Sequence, residues 1–156
     1  MIRAAVNPWP AIRALQKMQT TFAAGVTREL ERAADDAVAR ARATRLFKDG
    51  AGPRRGQRQH LRESIRKERG TAVESRVRAT APHARFVQEG TRAHRIEARP
   101  GGTLRFVIGR TTFFRRSVWH PGTKPRPFLT NAAAASERQL RRELKRMIGD
   151  VARGNR

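Results

Sequence analysis

The sequence predicts an α+β domain: a mostly antiparallel four-stranded sheet packed against a long N-terminal helix and a C-terminal helix. Three observations carry that expectation. Apolar residues recur every three or four positions near both ends of the chain, alternate with polar ones in between, and glycine or proline marks each change of period. With 156 residues, the chain suits one domain over 1–156 with a real core.

The first helix is expected over 10–48. Ile12, Leu15, Met18, Phe22, Val26, Leu30, Ala33, Ala37 and Ala41 keep a helical spacing, and Pro10 suits a first turn, where a missing N–H costs nothing. The later half of this stripe is mostly alanine, which admits close neighbours but buries little area. That half is therefore expected to be the weaker part of the core, or a contact with another subunit. Residues 49–58 follow as a flexible basic loop, in which Gly50, Gly52, Pro53 and Gly56 are interspersed with Arg54, Arg55 and Arg58.

Short helices and the sheet occupy 59–126. Residues 59–69 read as a short helix with Leu61 and Ile65 on its apolar face. Residues 71–80 alternate, with Val73, Ser75, Val77 and Ala79 on the buried side of a strand. Residues 82–89 form a second short helix ended by Gly90, a glycine suited to the C′ position. Strands are expected at 95–98, 104–108 and 113–119, separated by turns at Pro100-Gly101-Gly102 and Gly109. The final helix spans 127–152. Its inner face should carry Ala133, Leu140, Leu144, Met147, Ile148 and Val151, and its outer face Arg138, Arg141, Arg142, Lys145 and Arg146.

The net charge of +22, from 35 Lys and Arg against 13 Asp and Glu, favours a polyanionic partner, nucleic acid above all. Arginine far outnumbers lysine and alanine is abundant, a balance that a GC-rich genome also produces, so part of this charge is expected to be solvated surface. No sequence-reading motif is present, so any DNA contact is expected to be nonspecific. Without cysteine, disulfides and thiolate metal sites are excluded. Neither a signal peptide nor a membrane span is discernible, and a soluble protein is expected.

The most constrained stretch is His120-Pro-Gly-Thr-Lys-Pro-Arg-Pro-Phe-Leu129. Its three prolines and one glycine exclude regular helix and central strand, so the backbone must turn stiffly and deliver Phe128 and Leu129 into packed positions. Upstream lie Ala81-Pro-His-Ala-Arg-Phe-Val-Gln-Glu-Gly-Thr91, His94-Arg-Ile96 and Leu104-Arg-Phe106. This succession, from about Leu61 to Ala135, resembles the tail-completion (neck, or minor tail-component) proteins of long-tailed double-stranded DNA phages. The HPGT-to-PFL element is its most specific part. Phe86 stands in the aromatic neighbourhood, whereas the family's usual tyrosine is absent.

The resemblance implies a virion structural protein, made in the host cytoplasm and built into the neck or tail. It would be a subunit of a ring, commonly a hexamer, that meets the head-completion or connector protein and the tail terminator or tail tube, with double-stranded DNA passing through. Gly90, Thr91, His94, His120, Pro121, Gly122, Thr123, Pro127, Phe128 and Leu129 are then candidates for a subunit interface or structural corner. Ordinary cap and hairpin turns are the alternative for the two Gly-Thr pairs. Arg54, Arg55 and Arg58 are candidates to contact DNA or a neighbouring ring, with a solvated linker as the alternative.

Chemistry is not expected. His60, His83, His94 and His120 are 23, 11 and 26 residues apart, without metal-ligand spacing, although His94 and His120 could meet across adjacent strands; a hydrogen-bonded turn histidine is the commoner case. Carboxylates do not cluster as a nuclease would require, and the serines lack a nucleophile-elbow context. No catalytic residue, metal or cofactor is expected.

Overall fold

A computed structural model describes residues 8–49, 60–71 and 73–154. Arg54, Arg55 and Arg58 lie outside the described residues, as does most of the expected loop. The architecture is α+β, with long helices at both ends and antiparallel strands between them. Helix α1 spans Trp9–Ala43 and α2 is a single turn, Leu61–Ser64. Strands β1 (Ile65–Thr71) and β2 (Glu74–Ala79) precede α3 (Ala84–Glu89). Then come β3 (His94–Glu97), β4 (Leu104–Ile108), β5 (Thr111–Arg115), β6 (Ser117–His120) and α4 (Phe128–Ala152). Among the described residues no helix is long and apolar enough to cross a membrane.

Helix α1 stops five residues short of the expected Lys48 because Phe47 must turn inward. Phe47 is buried edge-on against Phe128, with ring centroids 4.9 Å apart. Arg62 holds this exit in place. Its guanidinium donates to the carbonyls of Arg42, Thr44 (2.8 Å) and Phe47 (3.0 Å), and sits 4.8 Å from the centre of the Phe47 ring. Carbonyls left without partners at the helix end are thereby satisfied by a side chain.

The expected helix over 59–69 is corrected to one turn followed by strand β1. Leu61 and Ile65 are both buried, as their spacing suggests, but they sit in different elements. The N–H of Thr80, beyond β2, donates to Ser64 O at 3.1 Å, and Ile65 pairs with Ala79. Pairing satisfies the backbone of β2, which a helix here would leave as a bare edge. In β2 the alternation holds for Ser75, Val77 and Ala79, which are half-buried, but the expected strand over 71–80 is corrected at its start: Val73 lies in the turn before Glu74 and is exposed.

In place of a single four-stranded sheet the strands form three two-stranded antiparallel ladders: β1–β2, β3–β6 and β4–β5. The expected strand over 113–119 divides at Arg116 into β5 and β6. Ladders β3–β6 and β4–β5 are successive halves of one ribbon. Glu97 pairs with Ser117 and Leu104 with Arg115, so residues 98–103 loop out opposite Arg116. The Pro100-Gly-Gly turn makes that bulge. At the ribbon's tip Gly109 has φ +62°, the left-handed value that a two-residue hairpin needs at its first position.

Helices α1 and α4 run antiparallel: Ser136 meets Asp36, while Met147 lies against Gly25. The interior face of α1 is the alanine half, Ala34, Ala37 and Ala41, facing Ala132 and Ser136 on α4. The expected inner face of α4 is therefore corrected: Ala133 is exposed, as are Ile148 and Val151. The run Ala132–Ala135 has no helical phase of its own, and the insertion of Phe128 decides which of its residues turn inward. By the same register Ala152 comes level with about Thr20, so residues 9–19 of α1 project past the end of α4.

A buried polar contact joins the helix pair, beside a longer one in which Arg40 Nη2 donates to Gln139 Oε1 at 3.3 Å. Ser136, itself buried, donates its hydroxyl to Asp36 Oδ2 at 2.6 Å, and Arg40 Nε donates to the same oxygen at 2.6 Å. The Arg40 guanidinium, and secondly the Ser136 hydroxyl, hold the Asp36 carboxyl below its ordinary value. Replacing Ser136 with Ala should cost about 1 kcal/mol; unchanged melting would discount the hydroxyl. Because the folded carboxyl resists protonation, its contribution is complete above the ordinary value of about 4 and fades as pH falls through the lower folded-state value. Melting temperature should accordingly fall less steeply below about pH 4 in Asp36→Asn than in the natural chain.

Candidate assembly corner and adjoining cleft

The two Gly-Thr turns singled out in the sequence meet each other. Gly90 ends α3 with φ +73°, and Gly122 follows β6 with φ +88°. Thr91 N–H donates to Thr123 O at 3.0 Å and Thr123 N–H donates to Thr91 O at 3.1 Å; their hydroxyls lie 3.1 Å apart. The approach is reciprocal. A Cβ on Gly90 would fall 2.3 Å from Thr123 O, and one on Gly122 would fall 2.3 Å from Thr91 O. Each glycine thus makes room for the other turn's carbonyl, and the two turns form a backbone clasp that extends the β3–β6 ladder.

His94 and His120 sit opposite each other in that ladder, with ring centroids 5.1 Å apart. Their Nδ1 atoms are both engaged. His120 Nδ1 accepts the Gly122 N–H at 3.0 Å, while His94 Nδ1 lies 2.9 Å from Arg92 O, to which it donates. Both rings therefore brace the backbone of the turns beside them. Pro121 is exposed next to the clasp.

Beyond the clasp, the proline-rich segment delivers Phe128 and Leu129 to the start of α4. Phe128 is 2 % exposed, and Leu129 is half-buried against the same core cluster. The helix start is held from α3. Gln88 Oε1 accepts the Leu129 N–H at 3.1 Å, its amide nitrogen donates to Thr130 Oγ1, and Arg126 N–H donates to Val87 O at 2.9 Å. Pro127 immediately precedes the helix, in the place usually taken by a capping side chain, and Gln88 supplies the missing acceptor from another element. Sequence reading did not single out Gln88 or Arg62, because each acts on carbonyls or N–H groups distant in the chain. Their only local signal is a place in the sequence near glycine: Gln88 stands two residues before Gly90, and Arg62 follows the stretch that holds Gly50, Gly52 and Gly56.

An open cleft of about 700 Å³ lies beside the clasp, and all four histidines line it. The His94–His120 pair is the cross-strand meeting that the sequence suggests, whereas the arrival of His60 and His83 beside it comes from α3 folding back between the exit of α1 and the β3–β6 ladder. Among the described residues no group of three or more histidines and acids is placed to hold a metal ion.

The charge distribution is uneven in a specific way. Twelve of the 13 acids lie within ion-pair distance of a basic side chain, and the remaining one, Glu63, accepts the His60 N–H across the α2 turn. No acid is left to offset the rest of the arginines and lysines. Comparison with family models, curated proteins and solved structures finds no match to this chain.

Proposed function

We propose that this chain is a virion structural protein, a subunit of an oligomeric ring at the head–tail junction of a long-tailed phage, through which DNA passes. The resemblance in the Ala81–Leu129 motifs suggests the class. The observation that supports it best is the exposure of large apolar side chains on two unlike elements. On the projecting part of α1, Leu15 is 64 % and Met18 51 % exposed; on the β4–β5 ribbon, Phe114 is 56 % and Ile108 64 % exposed. A lone two-stranded ribbon is marginal in water, and apolar patches of this kind mark contact surfaces. Ring closure by a head-to-tail contact needs two such different, mutually fitting faces. In this reading the protein supplies shape and no catalysis, and its uncompensated arginines offer passing DNA a diffuse field.

The test uses two variants, Leu15→Glu/Met18→Glu and Val107→Glu/Phe114→Glu. Each should melt within about 1 kcal/mol of the natural chain, since these residues are exposed, yet fail to form rings alone or on the connector. Mixed together they should yield single pairs only, because each retains one working face. Rings of normal mass from either variant would defeat the proposal.

A second reading, a nonspecific nucleic-acid-binding module, is favoured by the full commitment of the acids. It requires an isolated small species that binds short duplexes tightly and with a steep salt dependence. Filter binding at several salt concentrations, beside a mass measurement in solution, separates the two readings.

A further inference from the structure

We infer that the histidine-lined cleft is a docking site for an acidic peptide segment of a partner protein, one that carries an aromatic or aliphatic residue among its carboxylates. Three features of the cleft converge on that ligand. Its walls carry Lys48, Lys124 and Arg126, and none of these appears in an ion pair among the described residues. The one acid in the lining, Asp49, lies 3.4 Å from Arg62 and is already neutralised. The cleft therefore presents cations without a counter-charge, and carboxylates supply it.

The floor separates a peptide from a bare phosphate chain. Phe86 lines the cleft with 57 % of its surface exposed, beside the half-buried Val87 and Ile96. A phosphodiester backbone has nothing to place on such a floor, whereas an apolar side chain between carboxylates covers it and gains its transfer free energy. His120 adds a donor. Because its Nδ1 accepts from Gly122, the neutral ring carries its proton on Nε2. The clasp and the bond from Arg126 N–H to Val87 O hold these walls in place before any ligand arrives, which lowers the ordering cost of binding.

The experiment measures fluorescence anisotropy with the full chain and two labelled probes, a short all-glutamate peptide and the same peptide with a central phenylalanine. Lys124→Glu/Arg126→Glu should weaken binding of the phenylalanine peptide at least about tenfold, while Arg138→Glu/Arg142→Glu, an equal charge change on the outer face of α4, should weaken it less than about threefold. Phe86→Ser should lower affinity for the phenylalanine peptide and leave the all-glutamate peptide unchanged. The replaced side chains are exposed, and unchanged melting serves as the folding control. Equal losses in both charge variants, or indifference of both probes to Phe86→Ser, would overturn the proposal. So would a short duplex that displaces the peptide and depends more strongly on Lys124 and Arg126, since the cleft would then be a phosphate site.

Discussion

Phe128→Ala is expected to lower the stability of the isolated chain by about 3–5 kcal/mol, the range for emptying a fully buried aromatic site. Phe128 is 2 % exposed, stands edge-on to Phe47, and lies in one cluster with Ala41, Leu61, Ile65 and Ala132. These residues come from α1, α2, β1 and α4, so the cavity would open where four elements meet. Neither Phe47 nor Leu61 can fill it without giving up its own contacts, and close-packed interiors relax only in part. The measurement is a denaturant melt of the purified chain. A loss below about 1 kcal/mol would mean that the proline-rich corner does not anchor the core. Leu129→Ala, at a half-buried position, should cost distinctly less.

The second large effect is expected at the clasp. Gly122→Ala should destabilise the chain by about 2–4 kcal/mol, because two penalties combine: a left-handed φ for a residue with a Cβ, and that Cβ 2.3 Å from Thr91 O. A side chain could rotate away from such a contact, whereas this carbonyl belongs to the backbone of the facing turn and is fixed by its own hydrogen bond. Gly109→Ala is the matched control, since its φ is also positive but a Cβ there meets nothing within 4 Å. It should cost about 1 kcal/mol, so the difference reports the close approach alone. Gly90→Ala should behave like Gly122→Ala, and the double variant should cost less than the sum, because the first substitution already parts the turns. Additive losses would show the two turns to be independent.

Much of this corner was legible in the residues. The prolines of 121–127 rule out helix and inner strand by ring geometry alone, and Gly90 after a short apolar helix signals the positive φ that it has. That the two Gly-Thr turns engage one another was not legible. Thr91 and Thr123 are separated by the whole β3–β6 ribbon, and no local pattern records which distant carbonyl a missing Cβ accommodates. Beyond the His94–His120 pair, which adjacent strands suggested, the convergence of His60 and His83 on the same cleft was hidden for the same reason.

The long first helix divides the two kinds of information most sharply. Its period of three to four residues was plain from Ile12 to Ala41, because a helix repeats its faces locally and each residue of the stripe declares the same side. Which part of that side is covered depends on where α4 begins and ends, and α4 has 25 residues against the 35 of α1. The expectation that the alanine half would be the weaker part was therefore reversed. Small side chains let α4 approach closely and became the interior, while Leu15 and Met18, more apolar but beyond the end of α4, stayed in water. Side-chain period is a property of the segment; burial is a property of what lies opposite, and that is settled only when remote parts of the chain meet.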